Sequence, residues 1–196
     1  MDPTRPTPAA PVASEVAPGV AQAVTIDHAS YHGWDATWIH RGPLSVVLVP
    51  QIGGRVMGLR WRGHELSFVH PGLAGRVEPL DRERDVRQQK RALGFLLWGG
   101  EKTWLAPQEA WNDELPFLDL DSGPYSLEVS QAGAAEDTTV TARMRSPVCR
   151  ETGVRITRVV RISAARPGWE VDHIVENTSE RTQRWAAWTV AMVRRP

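Results

Sequence analysis

The stretch LLWGGEKTWLAPQEAW, residues 96–111, concentrates residue types that suit a sugar site. Its aromatic members are Trp98, Trp104 and Trp111, and its polar members are Glu101, Lys102, Gln108 and Glu109. Flat apolar rings beside hydrogen-bonding groups of both signs suit a polyhydroxylated ring, whose C–H faces are apolar and whose edges are polar. The same tryptophans would also serve to anchor a long loop on a β-sandwich without any ligand. Composition alone slightly favours that second interpretation.

Two glycines and a proline decide the local structure expected for this stretch. Gly99 and Gly100 permit a positive φ or a close backbone approach. Pro107 excludes a continuous helix and moves Ala106 towards extended geometry. We therefore predict a loop rich in aromatic faces, donors and acceptors.

The composition is that of an ordinary globular protein with one domain. The chain has 196 residues, of which 41% are hydrophobic and 23% are charged. Basic and acidic residues number 23 each, so the zero net charge gives no attraction to nucleic acid or to an acidic membrane. No segment approaches the roughly 18 apolar residues of a membrane span, and the N-terminus lacks the pattern of a signal peptide. These features predict a cytoplasmic protein with neither a nucleic-acid nor a membrane partner.

The sequence predicts neither a metal nor a cofactor. The single cysteine, Cys149, excludes an intrachain disulfide and is expected to be a small buried hydrophobe. The first three histidines, His28, His32 and His40, are too scattered to indicate a metal site. There is no phosphate-binding glycine loop and no nucleophile–histidine–acid grouping.

Alternating apolar and polar residues predict an all-β fold. Residues 1–22 are rich in Pro and Ala and are expected to form a disordered tail, followed by one domain over residues 23–196. Residues 71–99 carry many charges and are expected to form a long surface excursion, with a short helix at the centre of the segment as the alternative. No helix of normal length is expected anywhere. In the run WEVDHIVEN, His173 lies on the same face as Val171 and Val175, which predicts a core histidine. We predict an antiparallel β-sandwich.

The run RWAAWTVAMV, residues 184–193, predicts an apolar edge strand near the C-terminus. An exposed edge of this kind is prone to aggregate. The pattern favours either a homodimer that pairs through this strand or a domain that is incomplete at its C-terminal side.

Three segments together resemble the galactose mutarotase-like superfamily, which includes the aldose 1-epimerases. They are VVLVPQIGGRVMGLRWRGHELSFVHP (46–71), WGGEKTWLAPQEAW (98–111) and VDHIVENTSERTQRWAAWTV (171–190). The second segment is similar to an uncharacterised branch with Gly-Gly-x-Lys-x-Trp and Pro-Gln in its central loop. The resemblance implies a supersandwich fold, of which this chain would be the N-terminal part, and recognition of a sugar.

The resemblance also implies mutarotation in active members, which needs one group to protonate the ring oxygen and another to deprotonate the anomeric hydroxyl. The superfamily places a histidine where this chain has Trp185-Ala186-Ala187-Trp188, and a glutamate beyond the chain. An ordinary mutarotase mechanism therefore cannot be written with these residues.

Three hypotheses remain open. The first is a carbohydrate-binding domain in which the three tryptophans of the loop stack on the sugar, the four polar residues bind its hydroxyls and Arg55 supports the site. The second is an epimerase-like or lyase-like enzyme that uses Glu101 or Glu109 with Lys102 as acid and base. The third is a structural sandwich without a ligand, completed by a partner.

Overall fold

A computed structural model describes residues 21–195 as two antiparallel β-sheets that pack face to face. This confirms the predicted all-β sandwich. The predicted tail lies outside the described residues, except for its last two positions.

Strands and helices follow one another along the chain with the following bounds. The order is β1 (Val24–Tyr31), β2 (Trp34–Arg41), β3 (Leu44–Val49), β4 (Arg55–Trp61), β5 (His64–Glu65), α1 (Val86–Leu93), β6 (Glu101–Ala106), α2 (Leu118–Asp121), β7 (Ser126–Ala132), β8 (Thr139–Arg145), β9 (Val154–Ser163), β10 (Glu170–Asn177) and β11 (Ala186–Ala191). The first sheet has seven strands in the order β1-β2-β3-β4-β6-β11, with β5 paired to β4. The second sheet has four strands in the order β10-β9-β8-β7.

The first sheet is packed on both of its faces. Its inner face meets the second sheet through a cluster that includes Leu48, Val56 and Val160. Its outer face is covered by a second cluster, which joins residues of β2, β3 and β4 to Leu73 and Trp98. Strand β3 is buried on both faces, and its sequence is therefore a nearly continuous apolar run.

The segment over residues 71–99 forms the short helix that was the alternative to a plain surface excursion, and part of it is buried. It contains the helix α1, which Asp85 caps by accepting a hydrogen bond from the backbone N–H of Gln88. It also sends Leu73, Leu96 and Trp98 into the outer-face cluster, so the segment is a cover for the sheet. None of the helices within residues 21–195 is long and apolar enough to cross a membrane.

The stretch predicted as a loop contains a strand of the first sheet. Strand β6 pairs along its whole length with β11, in a register that sets Trp188 opposite Trp104. It also meets β4, where Glu101 lies opposite Val56. Gly99 precedes the strand with a φ of +109°, and a Cβ there would lie 2.1 Å from the carbonyl oxygen of Phe68. The glycines therefore bring the chain into the sheet, and the loop prediction was wrong for residues 101–106.

Strand β11 is an edge strand, as the apolar C-terminal run predicted. One of its sides pairs with β6, and no strand within residues 21–195 pairs with the other. Five of its six residues are exposed. Pairing with a second copy and continuation into a longer domain both stay predictions.

Candidate functional site

The residues predicted to form one site lie on two opposite faces of β6. Successive side chains of a strand point to opposite sides of the sheet. Glu101 and Thr103 therefore turn towards β9 and β10, where they meet Arg158 and His173. Lys102, which lies between them, turns to the other side. Glu101 and Lys102 do not face one substrate, so the predicted acid–base pair is not formed.

The second face of β6 carries a buried ionic cluster around Asp121, the last residue of α2. Its Oδ1 accepts hydrogen bonds from Arg55 Nη2 at 3.0 Å, Lys102 Nζ at 3.0 Å and Trp104 Nε1 at 2.7 Å. The Lys102 ammonium also lies 3.6 Å from the centroid of the Trp104 ring. The cluster fastens α2 to β4 and β6. Arg55, Lys102 and Trp104 therefore each have a structural partner in Asp121.

Burial and charge act in opposite directions on the groups of this cluster. Burial lowers the pKa of Lys102 to about 8, with Arg55 adding to the effect and Asp121 opposing it. Burial alone would raise the pKa of the Asp121 carboxyl, but the charges of Arg55 and Lys102 outweigh it and the pKa lies below its usual range. The aspartate is therefore ionised at neutral pH.

Replacing Lys102 by methionine is expected to remove a rise of stability at alkaline pH. The pKa of Lys102 is about 8 in the folded chain against an ordinary value of 10.5, so between these values only the unfolded chain still binds the proton. The free energy of unfolding of the parent protein should therefore increase across this window, on the order of 2–3 kcal/mol relative to Lys102→Met. Urea unfolding at several values from pH 7 to 10 measures the difference.

The comparison with the variant isolates Lys102 from other alkaline titrations. Burial raises the pKa of Tyr125 and of Cys149, which lowers stability at high pH, but both groups are present in both proteins. Parallel pH profiles of the two proteins would contradict the expected effect.

Two of the three tryptophans proposed to stack on a sugar are buried. Trp98 is 0% exposed in the outer-face cluster. Trp111 is 6% exposed and donates a hydrogen bond to the Leu105 carbonyl at 2.7 Å. Trp104 is half-buried. The centroid of its ring lies 5.0 Å from that of Trp111 and 5.3 Å from that of Trp188. Neither Trp98 nor Trp111 offers a ring face to a ligand.

The remaining predicted residues, Gln108 and Glu109, lie apart from both faces of β6. They belong to a short 3-10 helix over Gln108–Ala110, and both are exposed. The sequence grouped them with Glu101 and Lys102 in one predicted loop, but strand β6, over Glu101–Ala106, separates the start of that stretch from its end.

A cavity of about 300 Å³ opens beside Glu101, where the two sheets meet at their β10 and β11 edges. We call it the edge cavity. Its lining consists of Glu101, Trp169, Val171, His173 and Thr189. Trp169 and Val171 supply apolar surface, and the other three supply hydrogen-bonding groups. The edge cavity thus contains one predicted site residue, Glu101, and four residues that the sequence did not single out for function, among them Trp169 and His173.

The Glu101 carboxylate is only partly satisfied. Its Oε2 forms an ion pair with the fully buried Arg158 guanidinium. Its Oε1 is also buried and has no hydrogen-bond partner within the described part of the chain. A buried acceptor without a donor costs about 1–3 kcal/mol, so such a group in a cavity is a natural point of attachment for a ligand donor.

His173 faces into the sandwich, as its alternation with Val171 and Val175 predicted, but it lines a cavity and is only half-buried. Its Nδ1 lies 2.6 Å from Thr103 Oγ1, and its Nε2 lies 3.3 Å from Thr189 Oγ1. Burial lowers the pKa of the imidazole, and the Arg158 charge adds to the effect, so the ring is neutral at pH 7. The sequence signal was a polar residue in a row of inward-facing apolar ones.

Among residues 21–195 no group of three or more His, Cys, Asp or Glu side chains is placed to hold a metal ion. No family model, curated protein or solved structure matches the chain. The resemblance to the galactose mutarotase-like superfamily therefore stays a prediction, and function has to be argued from the site.

Proposed function

We propose that the chain is a carbohydrate-binding domain, of galactose mutarotase-like architecture, that binds a sugar in the edge cavity. The observation that carries the proposal is the buried Glu101 oxygen without a partner, beside an indole ring and a neutral imidazole. A carboxylate that accepts from hydroxyl groups and an aromatic ring that meets a C–H face are the two parts of a sugar site.

The size and polarity of the edge cavity agree with this ligand class. Its volume of about 300 Å³ lies at the lower end of the range for small-molecule sites, roughly 300–1,000 Å³. Because Arg158 already neutralises Glu101, the site has no strong preference for a charged ligand. His173 and Thr189 add a hydrogen-bonding edge. These features favour a neutral monosaccharide or the terminal unit of an oligosaccharide.

Glu101→Gln is expected to weaken sugar binding by about tenfold or more, because the amide nitrogen cannot accept a hydroxyl donor. Isothermal titration calorimetry of the purified chain with a panel of aldoses and short oligosaccharides measures the affinity. Glu109→Gln is the matched control, since Glu109 is exposed and outside the edge cavity. Its affinity should equal that of the parent protein.

A second pair of variants covers the case in which Glu101→Gln unfolds the chain by leaving Arg158 unpaired. Trp169→Ala removes the indole ring from the edge cavity, and Trp61→Ala removes an indole that is 45% exposed elsewhere. Only the first should lose affinity, while thermal melts report on folding. Failure of the parent protein to bind any sugar, or equal losses in the Glu101 and Glu109 variants, would contradict the proposal.

A second candidate function is proton transfer on the bound sugar, because Glu101 and His173 line the same cavity. The Glu101 carboxylate would take the proton of the anomeric hydroxyl, and a protonated His173 would give its proton to the ring oxygen as the ring C–O bond breaks. Ring closure returns both protons. Since the pKa of His173 is lowered, the protonated ring is scarce at pH 7, and we rank catalysis second. Polarimetry of freshly dissolved aldoses at pH 5.5 and pH 7 should show faster mutarotation at the lower pH if the chain is an enzyme.

A further inference from the structure

A second cavity, of about 400 Å³, lies at the end of the sandwich where β9 and β11 begin. We call it the end cavity. Three separate parts of the chain form it: the segment that follows β6, the turn between β8 and β9, and the connection between β10 and β11. It shares no lining residue with the edge cavity. A ligand at one would not occupy the other.

Glu151 is the buried acceptor of the end cavity. Its side chain is 2% exposed, and its Oε1 accepts from Lys90 Nζ at 3.3 Å and from Asn112 Nδ2 at 3.1 Å. Its Oε2 is buried and has no hydrogen-bond partner within residues 21–195. Native structures satisfy nearly all such atoms, so the free oxygen indicates a place for a donor from outside the chain.

Two aromatic rings and one cation complete the lining. Phe117 and Trp185 lie edge to face with ring centroids 5.6 Å apart, and both border the end cavity. The Arg181 side chain is exposed and makes no hydrogen bond or ion pair with the described residues. Arg150, the other guanidinium of the lining, is occupied by both carboxylate oxygens of Asp119 and by backbone carbonyls. Arg181 is therefore the cation of this lining that is available to a ligand.

We propose that the end cavity is a second saccharide site, specific for a sugar that carries a carboxylate, such as a hexuronic acid. The ring hydroxyls donate to Glu151 Oε2, and the C–H face packs on the half-buried Trp185, which the buried Phe117 supports edge to face. The sugar carboxylate accepts two parallel hydrogen bonds from Arg181, a geometry that guanidinium groups favour. The ligand class rests on the proposed function, but the residues are independent of the edge cavity.

Calorimetric titration of the full chain with glucuronate and galacturonate, and with glucose and galactose, tests the assignment. Arg181→Gln is expected to weaken uronate binding by about tenfold, because it removes a charge-assisted bidentate contact. Arg184→Gln is the matched control, since Arg184 is exposed in the same connection and does not line the end cavity. It should bind as the parent protein does, and neutral sugars should bind all three proteins equally.

Glu151→Gln provides a second readout and should also lose uronate affinity. Because it leaves Lys90 buried without its carboxylate, its folding is verified by thermal melt. Equal uronate affinities of Arg181→Gln and Arg184→Gln would overturn the assignment. So would uronate binding that is lost in Glu101→Gln instead, since that result places the uronate in the edge cavity. Absence of uronate binding together with neutral-sugar binding would overturn this inference alone and leave the proposed function intact.

Discussion

Replacing Asp121 by alanine is expected to lower the free energy of unfolding by about 3–5 kcal/mol. Asp121 is the acceptor for Arg55, Lys102 and Trp104, and both cations are almost completely buried. Removing one partner of a buried ion pair leaves an uncompensated charge, which costs far more than the net value of the pair. Here two cations lose their carboxylate at once. Urea denaturation followed by circular dichroism measures the loss.

The matched control for this substitution is Asp172→Ala. Asp172 also forms an ion pair, with Arg161, but its side chain is 55% exposed. Exposed pairs contribute roughly 0–1 kcal/mol, so the control should be nearly as stable as the parent protein. Equal decreases in the free energy of unfolding of the two variants would show that the buried Asp121 cluster stabilises the fold no more than an exposed ion pair does.

Replacing Trp104 by alanine is expected to cost about 3 kcal/mol of stability, and any loss of sugar binding should follow from unfolding. The ring contacts Phe95, Trp111 and Trp188, and its Nε1 donates to Asp121. Large-to-small changes in packed sites lose transfer free energy and leave a cavity. The loss also removes the ring that faces the Lys102 ammonium.

Trp104→Phe and Trp61→Ala bracket this effect. Phenylalanine keeps most of the packing but loses the N–H donor, so a loss of about 1 kcal/mol is expected. Trp61 is exposed, and its replacement should change stability by less than about 0.5 kcal/mol. A Trp104→Ala protein with unchanged stability and abolished sugar binding would instead support the hypothesis that this tryptophan stacks on the ligand.

Local alternation was enough to predict the fold class and the inward direction of His173. Local alternation did not predict β6, because the sequence of this strand looks like that of a loop. The strand begins with Glu and Lys, and it is flanked by Gly-Gly and Pro. A lysine is buried in a strand only if a partner compensates it, and that partner, Asp121, is 19 residues away in the sequence. The contact depends on α2 returning to the sheet, which no local pattern encodes.

The candidate site was predictable only in part for the same reason. Glu101 was singled out by its residue type, but the residues that complete the edge cavity come from β10, from Trp169 directly before it and from β11. Strands β10 and β11 belong to different sheets. His173 was correctly placed on the inward face of its strand. The cavity forms there because β11 is the edge strand of the opposing sheet. The position of that edge is a property of tertiary packing.

The first two residues of β6 carry opposite charges, and each meets its complement on its own side of the strand. Glu101 faces Arg158, and Lys102 faces Asp121. A one-residue slip of the strand would exchange its faces. A slip in one direction would put Lys102 in the place of Glu101, beside Arg158, and a slip in the other direction would put Glu101 in the place of Lys102, beside Asp121. Either slip would therefore bring buried like charges together. The two charges therefore specify the register of β6 during folding, because they raise the free energy of a misaligned strand more than apolar residues would.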